Sequence, residues 1–334
     1  MADIADEAGV SISTVSKVLN GRSDVAPQTR ARVQRLLGRH GYAGRGRGRP
    51  GYGGGLLDFV INELDSLWAV ELIRGAEEVA QSAGMALVVS AVHGRNQLAR
   101  QWLRTLADRG SRGAILIVSE LSRRQDAELR RLGIPFVLVH PVANPGPDVP
   151  CVSTTNWAGG LTATRHLIEL GHRRIAMIGG PPRRLSARAR HDGYRAALEQ
   201  AGIAYDSQLV RDGDFGHELA RRHTLDLLDL PDRPTAIFAG SDHQALGTYQ
   251  AAQRRGVRIP DQLSVVGFDD LPFAEWVGPK LTTVRQPLAD MSALAARMIL
   301  KLLDGEQPEI HQVQLATRLV VRESTAELIG PAAP

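Results

Sequence analysis

The chain has 334 residues, a net charge of +4 and 43% hydrophobic residues, so it is long enough for a small module plus a larger domain with a sizeable core. Its one cysteine, Cys151, excludes a disulfide framework within the chain. Because no apolar run approaches the ~18 residues of a membrane span and no signal-peptide pattern is present, we expect a cytoplasmic protein.

The positive charge is concentrated at the N-terminus. Residues 1–49 contain nine lysines and arginines against four aspartates and glutamates, a net charge of +5, which leaves −1 for the remaining residues. A basic segment of this kind suits binding to phosphates by release of counterions. The N-terminal segment is therefore the first candidate for nucleic-acid binding.

Residues 3–21 show the pattern of two short helices joined by a tight turn. Gly9 ends the first helix, Val10 fills the corner, and Ser11 is a favoured N-cap for the second helix. The inward residues at helical spacing are Ile4, Ala5, Ala8, Val15, Val18 and Leu19. This is the helix-turn-helix pattern, whose second helix lies in the major groove of DNA.

The outward residues of the second helix can all form hydrogen bonds with phosphates or bases. They are Ser11, Ser13, Thr14, Ser16, Lys17 and Asn20. A helical hairpin without a nucleic-acid role fits the periodicity equally well, but it does not explain this polar face. The pattern therefore predicts DNA binding.

A third helix is predicted to begin at Pro27, which suits a first helical position, and to end at Gly41. Its inward residues are Thr29, Val33, Leu36 and Leu37. Ala26, at the N-cap position, is a poor cap, and we expect it to weaken the module by ~0.5–2 kcal/mol relative to Ser or Asp. Residues 43–55 consist mainly of glycine and arginine, a composition that predicts a flexible linker.

From Leu56 onwards, short apolar runs alternate with amphipathic helical stretches, which predicts a parallel sheet covered on both faces. Ligands in that architecture bind at the carboxyl ends of strands. The predicted strands are Leu57–Ile61, Ala86–Ala91, Ala114–Val118, Phe136–Val139, Ile175–Ile178, Ala236–Ala239, Ser264–Phe268 and Thr282–Val284. The predicted helices are Ala69–Ala83, Leu98–Arg109, Gly160–Leu170, Arg188–Ala201, Glu218–Leu228, His243–Arg255 and Leu288–Leu303.

Five motifs, in the same order over most of the chain, resemble those of the lactose/galactose repressor (LacI/GalR) family of transcriptional regulators. The first is Asp-Ile-Ala-x-x-Ala-Gly-Val-Ser with the Thr-Val-Ser-Lys-Val-Leu-Asn-Gly that follows it. The others are His-Leu-Ile-Glu-Leu-Gly-His-Arg-Arg-Ile at 166–175, Ser-x-Arg-x-Arg-x-x-Gly-Tyr at 186–194, Val-Val-Gly-Phe-Asp-Asp at 265–270 and Leu-Thr-Thr-Val-Arg-Gln-Pro at 281–287.

The resemblance implies an α/β protein with an N-terminal three-helix helix-turn-helix headpiece and a two-lobed effector domain. The effector domain is expected to be a parallel-sheet domain of the periplasmic-binding-protein type (type I). The implied boundaries are 1–43 for the headpiece, 44–55 for a Gly/Arg-rich hinge arm and 56–334 for effector binding and dimerisation. Lobe 1 is expected at about 56–155 and 285–313, and lobe 2 at about 156–284 and 314–330.

The resemblance also assigns roles on the second helix. Ile12, Ser13 and Lys17 occupy the positions that contact bases in this family, where Lys17 replaces the more frequent arginine. Ser11, Thr14, Ser16 and Asn20 are expected to set the register on phosphates. For Ile12, packing against Val15 or the third helix remains an alternative.

The hinge arm departs from the family pattern, in which a short helix places a leucine in the minor groove. Residues 44–55 contain seven glycines, and each costs ~1 kcal/mol in a helix, so we expect no hinge helix. Arg47-Gly48-Arg49-Pro50 resembles the core of an AT-hook, in which Arg47 and Arg49 would enter a narrow A·T minor groove. A basic flexible tether without groove contacts remains the alternative.

Aromatic residues make up 4% of the chain, and three of them, Trp68, Phe215 and Trp276, fall in predicted loops at strand carboxyl ends. Flat rings near carboxylates and guanidinium groups suit a sugar. Packing between structural elements remains an alternative for Trp276 and for Trp157. Trp102, inside a predicted helix, is expected in the core.

By resemblance, the effector-binding residues are Asp65, Trp68, Asn156, Arg190, Phe215, Ser241, Asp269 and Gln286. Among them, Arg190 and Asp269 are expected to bind hydroxyl groups and Phe215 to stack on the ligand. Ser241 replaces the asparagine, and Thr155 the aspartate, that are frequent in the family. Because both changes shorten the polar side chain, they favour a disaccharide or short oligosaccharide over a monosaccharide.

Together these features predict a transcriptional repressor that releases a near-palindromic operator when a sugar inducer binds; a corepressor response remains open. Since the family's C-terminal leucine heptads are missing, we expect a homodimer. A sugar-binding protein without a regulatory role is the alternative, disfavoured by the basic headpiece. Asp269 and Asp270 as paired carboxylates, or His166 and His172 as ligands, would suit an enzyme, but no nucleophile motif or metal spacing accompanies them. No catalytic residue, cofactor or metal is therefore predicted.

Overall fold

The computed structural model describes residues 2–19, 25–39, 55–92, 100–117, 121–306 and 309–328. The chain divides into two compact units, Met1–Gly53 and Gly54–Pro334. Across the described ranges, none of the helices combines the length and the apolar character that a membrane span requires.

The first unit, called the headpiece below, contains three helices: α1 (Ala2–Ala8), α2 (Ile12–Leu19) and α3 (Pro27–Arg39). Their inner faces share one hydrophobic core, which comprises Ile4, Ala5, Ala8, Val15, Val18, Val25, Val33, Leu36 and Leu37. The predicted three-helix arrangement is confirmed. Thr29 is half-buried, whereas the side chain of Leu19 and the predicted helix end at Gly41 lie outside the described residues.

The turn between α1 and α2 forms as the sequence predicts. Gly9 has a φ of +62°, in the left-handed region that glycine adopts without steric cost. Val10 packs, half-buried, against the headpiece core. The Oγ of Ser11 accepts a hydrogen bond from the backbone N–H of Thr14 at 3.2 Å, as an N-cap does. These local contacts fix the start of α2 and therefore which of its residues face outward.

The second unit contains two six-stranded sheets with helices packed against them. Its strands are β1 (Leu56–Ile61), β2 (Ala86–Ala91), β3 (Ser111–Ile117), β4 (Phe136–Val139), β5 (Cys151–Thr154), β6 (Ile175–Gly179), β7 (Val210–Asp212), β8 (Ala236–Ala239), β9 (Ser264–Asp269), β10 (Thr282–Arg285), β11 (Gln312–Leu315) and β12 (Arg318–Val320). Its α-helices are α4 (Leu67–Ser82), α5 (Arg100–Arg109), α6 (Arg123–Arg131), α7 (Asn156–Glu169), α8 (Leu185–Gln200), α9 (His217–Leu228), α10 (Asp242–Arg255) and α11 (Leu288–Leu303).

The sheet of the first lobe has the strand order β11-β5-β4-β3-β1-β2, and that of the second has β12-β10-β9-β8-β6-β7. Every pairing is parallel except that between β10 and β12. The predicted parallel-sheet fold with two lobes is confirmed. The eight predicted strands and seven predicted helices are all present, with ends shifted by a few residues.

Four strands and one helix were not predicted. The strands β5, β7, β11 and β12 have only three or four residues each and include polar ones, so they lack the apolar run that marks the equally short β4 and β8. The helix α6 has the sequence Arg-Arg-Gln-Asp-Ala-Glu-Leu-Arg-Arg, and Leu129 is its one large apolar residue. With one large apolar residue the sequence shows no helical period, although Gln125 and Leu129 are both buried in the structure.

Three connections pass between the two sheets, and hydrogen bonds join them. They follow β5, β10 and β11. The N–H of Thr155 donates to the carbonyl of Leu315 at 3.0 Å, and the N–H of Thr317 donates to Oγ1 of Thr155 at 2.9 Å. The Oγ1 of Thr154 donates to Oε1 of Gln286 at 2.8 Å. The three connections are therefore bonded to one another.

Candidate functional site

A cavity of about 610 Å³ lies between the two lobes at the carboxyl ends of their strands and is called the cleft below. Its volume falls in the usual range for small-molecule sites, ~300–1,000 Å³. Six of the eight residues assigned to the effector from the sequence line it: Asp65, Trp68, Arg190, Phe215, Ser241 and Asp269.

Close packing between α7 and α8 positions Arg190 at the cleft. A Cβ added to Gly193 would lie 2.2 Å from the carbonyl oxygen of Trp157, and one added to Gly160 would lie 2.3 Å from that of Arg190. Only glycine permits backbones to approach this closely. The approach brings Arg190 of α8 to Asn156 at the start of α7, whose Oδ1 accepts from the Nε of Arg190 at 2.9 Å.

Arg190 is a fixed, buried cation in the wall of the cleft. Its side chain is 5% exposed, its Nη1 donates to the carbonyl of Gly240 at 2.5 Å, and Nη1 lies 3.9 Å from Oδ1 of Asp269. The guanidinium carbon lies 3.7 Å from the ring centroid of Phe268, a cation–π geometry. Burial lowers the pKa of Arg190 to about 10, while Asp269 opposes that shift, so the side chain remains charged at neutral pH.

Asp269 ends β9 beside Arg190 and accepts a hydrogen bond from Nε2 of Gln286 at 2.5 Å. Burial raises the pKa of Asp269 to about 6, against the lowering effects of Arg190 and of Gln286. Burial, and then the charge of Asp269, also raise the pKa of Asp242, which accepts from Thr283 Oγ1 at 2.5 Å and from the N–H of Leu271 at 2.7 Å. Arg190 and Asp269 thus present a donor and an acceptor side by side.

Asn156 and Gln286, assigned to the effector from the sequence, do not line the cleft. Both are buried behind it, where Asn156 bonds Arg190, and Gln286 bonds Asp269 and Thr154. Their contacts orient the two charged groups. Through Thr154, Gln286 also joins Asp269 to the connections between the lobes.

Ser241 lines the cleft, but other groups use its hydroxyl. Its Oγ donates to the carbonyl of Phe215 at 2.9 Å and accepts from the N–H of Gln244 at 3.1 Å as the N-cap of α10. The ring of Phe215 covers Gly180, where an added Cβ would lie 2.1 Å from the ring. Ser241 therefore fixes the loop that holds the ring of Phe215.

The first lobe contributes Trp68 and Asp65, together with His140, which sequence reasoning missed. Trp68 lies in the first turn of α4 and not in the predicted loop, and its ring centroid lies 5.8 Å from that of His140. Burial, followed by the charges of Arg190 and Arg184, lowers the pKa of His140 to about 3, and a hydrogen bond with the side chain of Gln286 opposes this. The one available signal for His140 was a polar residue directly after the predicted strand Phe136–Val139.

Backbone strain is concentrated at the cleft. Within the described ranges, four non-glycine residues have positive φ: His140 (+51°), Phe215 (+70°), Asp269 (+125°) and Asp270 (+62°). The first three line the cleft. Such conformations cost ~1–3 kcal/mol each and occur mainly at functional sites. Glycine would remove the strain at each position but would also remove the side chain that faces the cavity.

The other three tryptophans differ in exposure. Trp276 is 73% exposed, does not line the cleft and follows the short 3₁₀ turn Pro272–Glu275, so the cleft lining gives no support to the stacking of its ring on a ligand. Trp157 is 45% exposed. Trp102, at 9% exposure, belongs to the core of the first lobe, as predicted.

The residues considered for an enzyme are bonded within the fold. Asp270 pairs with Arg285 and, at 2.7 Å, with Arg322. His172 bonds Thr235 and Ser264 through its two ring nitrogens, each at 2.9 Å. Nε2 of His166 lies 3.0 Å from Oγ1 of Thr325. These contacts connect strands and the C-terminal segment, and none involves the cleft.

The face of α2 expected to contact DNA is open to solvent. Ser11, Ser13 and Lys17 are exposed, Thr14 and Ser16 are half-buried, and Ile12 is 53% exposed. The alternative packing of Ile12 against Val15 or α3 is not observed, since Ile12 is no member of the headpiece core. The Oγ of Ser11 lies 2.8 Å from Oγ of Ser13 and 2.9 Å from Oγ1 of Thr14. Asn20, Arg47 and Arg49 lie outside the described residues.

Two protein-family models match the chain: bacterial regulatory proteins of the lacI family at residues 1–44, and the periplasmic binding protein-like domain at residues 164–325. The ribose operon repressor of Halalkalibacterium halodurans is 33% identical over 325 residues, which are 97% of this chain and 96% of that repressor.

Among solved structures, the complex of the transcriptional regulator CelR with cellobiose has a TM-score of 0.74 and 32% identity, covering 96% of this chain and 98% of that one. The lac repressor dimer bound to operator and the anti-inducer ONPF has a TM-score of 0.73 and 25% identity, covering 97% of this chain and 98% of that one.

Proposed function

The chain belongs to the LacI family of bacterial regulatory proteins, whose members are DNA-binding repressors, and from this premise we propose that it releases its operator when a sugar occupies the cleft. The observation that carries the proposal is the buried pair of Arg190 and Asp269 beside the ring of Phe215, in a cavity of about 610 Å³. This combination suits a ligand with adjacent hydroxyl groups on a ring with an apolar face.

The chemistry of the cleft favours a neutral polyhydroxyl ligand. A guanidinium group donates and a carboxylate accepts, and a sugar hydroxyl can do both. The ring of Phe215 offers a flat surface for the C–H face of a pyranose. Of the three regulators reported above, one is named for the ribose operon and another is bound to cellobiose. A mono-, di- or short oligosaccharide fits this pattern, and the short Ser241 and Thr155 favour the larger of these.

On the DNA side, Ile12, Ser13 and Lys17 contact bases in this proposal. Ile12 offers apolar contact to a thymine methyl group, and Lys17 favours the acceptors of guanine. Ser11, Thr14, Ser16 and Asn20 bond phosphates and set the register. Arg47 and Arg49 of the hinge arm contact the minor groove. These residues act on a near-palindromic operator because a homodimer supplies two headpieces.

Coupling between cleft and operator follows from closure of the lobes. A ligand that bonds groups of both lobes closes them, and the movement shifts the two protomers of a dimer relative to each other. The hydrogen bonds that Gln286 donates to Asp269 and accepts from Thr154 join the ligand site to the connections between the lobes. Coupling energies of about 1–3 kcal/mol would change operator affinity about 5- to 150-fold.

Selection of bound duplexes from a random library by the full-length protein tests the proposal. We expect an inverted repeat to be enriched at moderate salt, and one sugar among glucose, ribose, maltose and cellobiose to weaken its binding at least ~5-fold. No preference for any inverted repeat, with the headpiece shown to be folded, would contradict DNA regulation. Sugar binding without sequence-specific DNA binding would support the alternative, a sugar-binding protein without a regulatory role.

A further inference from the structure

His140 presents an unused hydrogen-bonding group in the wall of the cleft. It follows β4 in the first lobe, lines the cavity and is 7% exposed. Within the described part of the chain, its Nε2 is buried and has no hydrogen-bond partner. A polar atom that is buried without a partner costs free energy, so its retention calls for an explanation outside the folding of this chain.

The backbone at His140 adds a second unfavourable feature. Its φ of +51° lies in the left-handed region, which disfavours a histidine relative to glycine or asparagine. The ring of Trp68, 5.8 Å away, packs beside the imidazole and limits its orientation. An unpartnered nitrogen, an unfavourable φ and a restrained ring coincide at one position, and all three are explained if the imidazole bonds a ligand.

The surroundings of His140 define the ligand group. Burial together with the charges of Arg190 and Arg184 keeps the imidazole neutral, so it offers no charge to pair with an anion. A neutral imidazole nitrogen either donates or accepts, depending on the tautomer. A hydroxyl group satisfies either tautomer because it can both donate and accept, whereas a carboxylate only accepts and an ammonium only donates.

We propose that Nε2 of His140 bonds a hydroxyl of the sugar and that His140 with Trp68 selects which polyhydroxyl ligands the cleft accepts. The inference rests on the proposed function and deepens it. Arg190 and Asp269 belong to the second lobe, whereas His140 and Trp68 belong to the first. A ligand held from both sides joins the lobes, so His140 contributes to closure as well as to selection.

The test uses two variants of the full-length protein, His140→Phe and His140→Asn. Phenylalanine keeps a flat ring but lacks the nitrogens, and asparagine keeps a polar group and tolerates positive φ. Melting temperatures are measured without ligand, and affinities are measured by calorimetry for whichever of glucose, ribose, maltose and cellobiose stabilises the wild-type protein. The deoxy analogues of that sugar identify the hydroxyl involved.

We expect ligand-free His140→Phe to melt close to the wild-type temperature, because it loses only the hydrogen bond with Gln286, and to bind the sugar at least ~10-fold more weakly. One deoxy analogue should bind both proteins with similar affinity, because it lacks the hydroxyl that the imidazole bonds. We expect His140→Asn to lose less sugar affinity than His140→Phe.

A melting temperature of ligand-free His140→Phe far below that of the wild-type protein would overturn the inference, since Nε2 would then be bonded within the fold. Unchanged sugar affinity in His140→Phe would overturn it as well, while leaving the proposed function intact. If none of the four sugars stabilises the wild-type protein, the proposed function is contradicted and the inference falls with it.

Discussion

The recognition face of α2 and the cleft place their functional groups in opposite ways. On α2, Ile12 is 53% exposed and stands outside the headpiece core. In the cleft, Arg190 and Asp269 are each 5% exposed and are bonded to further buried residues. In the headpiece, different residues serve stability and function, because one face of α2 packs in the core and the other face is exposed to solvent. The cleft combines them, because the groups that would bind a ligand are also part of the protein interior.

The largest effect is expected for Arg190→Ala, in which ligand affinity falls more than ~100-fold. The variant should also melt at a lower temperature, because Asp269 and Asn156 lose a buried partner, which costs ~3–5 kcal/mol in comparable cases. Arg190→Lys keeps the charge but not the planar fork, and should recover stability more than sugar affinity. Calorimetry and thermal melting measure the two quantities.

Arg188→Ala is the matched control, since Arg188 is an exposed residue of the same helix. It should leave sugar affinity and melting temperature unchanged, and both Arg190 variants should bind operator without ligand. Equal losses of sugar affinity in Arg188→Ala and Arg190→Ala would contradict the assignment of the cleft.

Ile12→Asp tests whether the exposed face of α2 contacts DNA without contributing to the stability of the headpiece. A carboxylate placed among phosphates and base edges should lower operator affinity roughly 10- to 100-fold, about 1.4–3 kcal/mol. The headpiece should remain as stable as before, because aspartate is favoured in the first turn of a helix. Fluorescence anisotropy at fixed salt gives the affinity, and thermal melting gives the stability.

The control for Ile12→Asp is Ala31→Glu, which adds the same charge at an exposed position of α3. A similar loss of operator affinity in both variants would mean that Ile12 acts only through net charge. A large loss of stability in Ile12→Asp would contradict the separation of fold and function in the headpiece.

Gly193→Ala tests the opposite arrangement in the cleft. The new Cβ would lie 2.2 Å from the carbonyl oxygen of Trp157 and 2.7 Å from the N–H nitrogen of Leu161, and backbone atoms cannot yield as a side chain does. Overpacking of this kind costs ~1–3 kcal/mol, and displacement of α8 moves Arg190. We expect a lower melting temperature together with a roughly 10-fold loss of sugar affinity.

Asp192→Ala, at the exposed neighbouring position of α8, is the control and should change neither quantity. A destabilised Gly193→Ala variant with wild-type sugar affinity would show that the packing of α7 against α8 does not position Arg190.

The smallest effect is expected from pH. Burial raises the pKa of Asp269 to about 6, so its carboxylate is lost as pH falls from about 7.5 to about 5.5. Sugar affinity should then fall ~4-fold, because the protonated group no longer accepts from a hydroxyl. Stability moves the other way: the folded state takes up a proton that the unfolded state does not, and the contribution of Asp269 becomes more favourable.

Calorimetry at both pH values checks this prediction, with Asp269→Asn as the reference. The reference should show no pH dependence from this site. A wild-type affinity that is equal at both pH values would contradict a role for the carboxylate in binding.

Sequence reasoning succeeded where the relevant spacing is local. The headpiece follows from residues three and four apart, and the long strands and helices follow from their periods. The cleft depends on groups far apart in sequence, such as Arg190 and Asp269, and only the family resemblance assigned them. The sequence shows which strand end a residue follows but not its depth. For that reason the sequence does not show that Asn156 and Gln286 are buried outside the cleft lining or that Trp276 is exposed, and His140 was missed.

The central claim is that binding of the sugar in the cleft and binding of the operator are linked by a coupling free energy. Calorimetry of the sugar with free protein and with the protein–operator complex tests it most directly. Because coupling between two sites is reciprocal, the operator should weaken sugar binding by the same factor, at least ~5-fold, by which the sugar weakens operator binding. An identical dissociation constant for the sugar with and without operator would contradict the account.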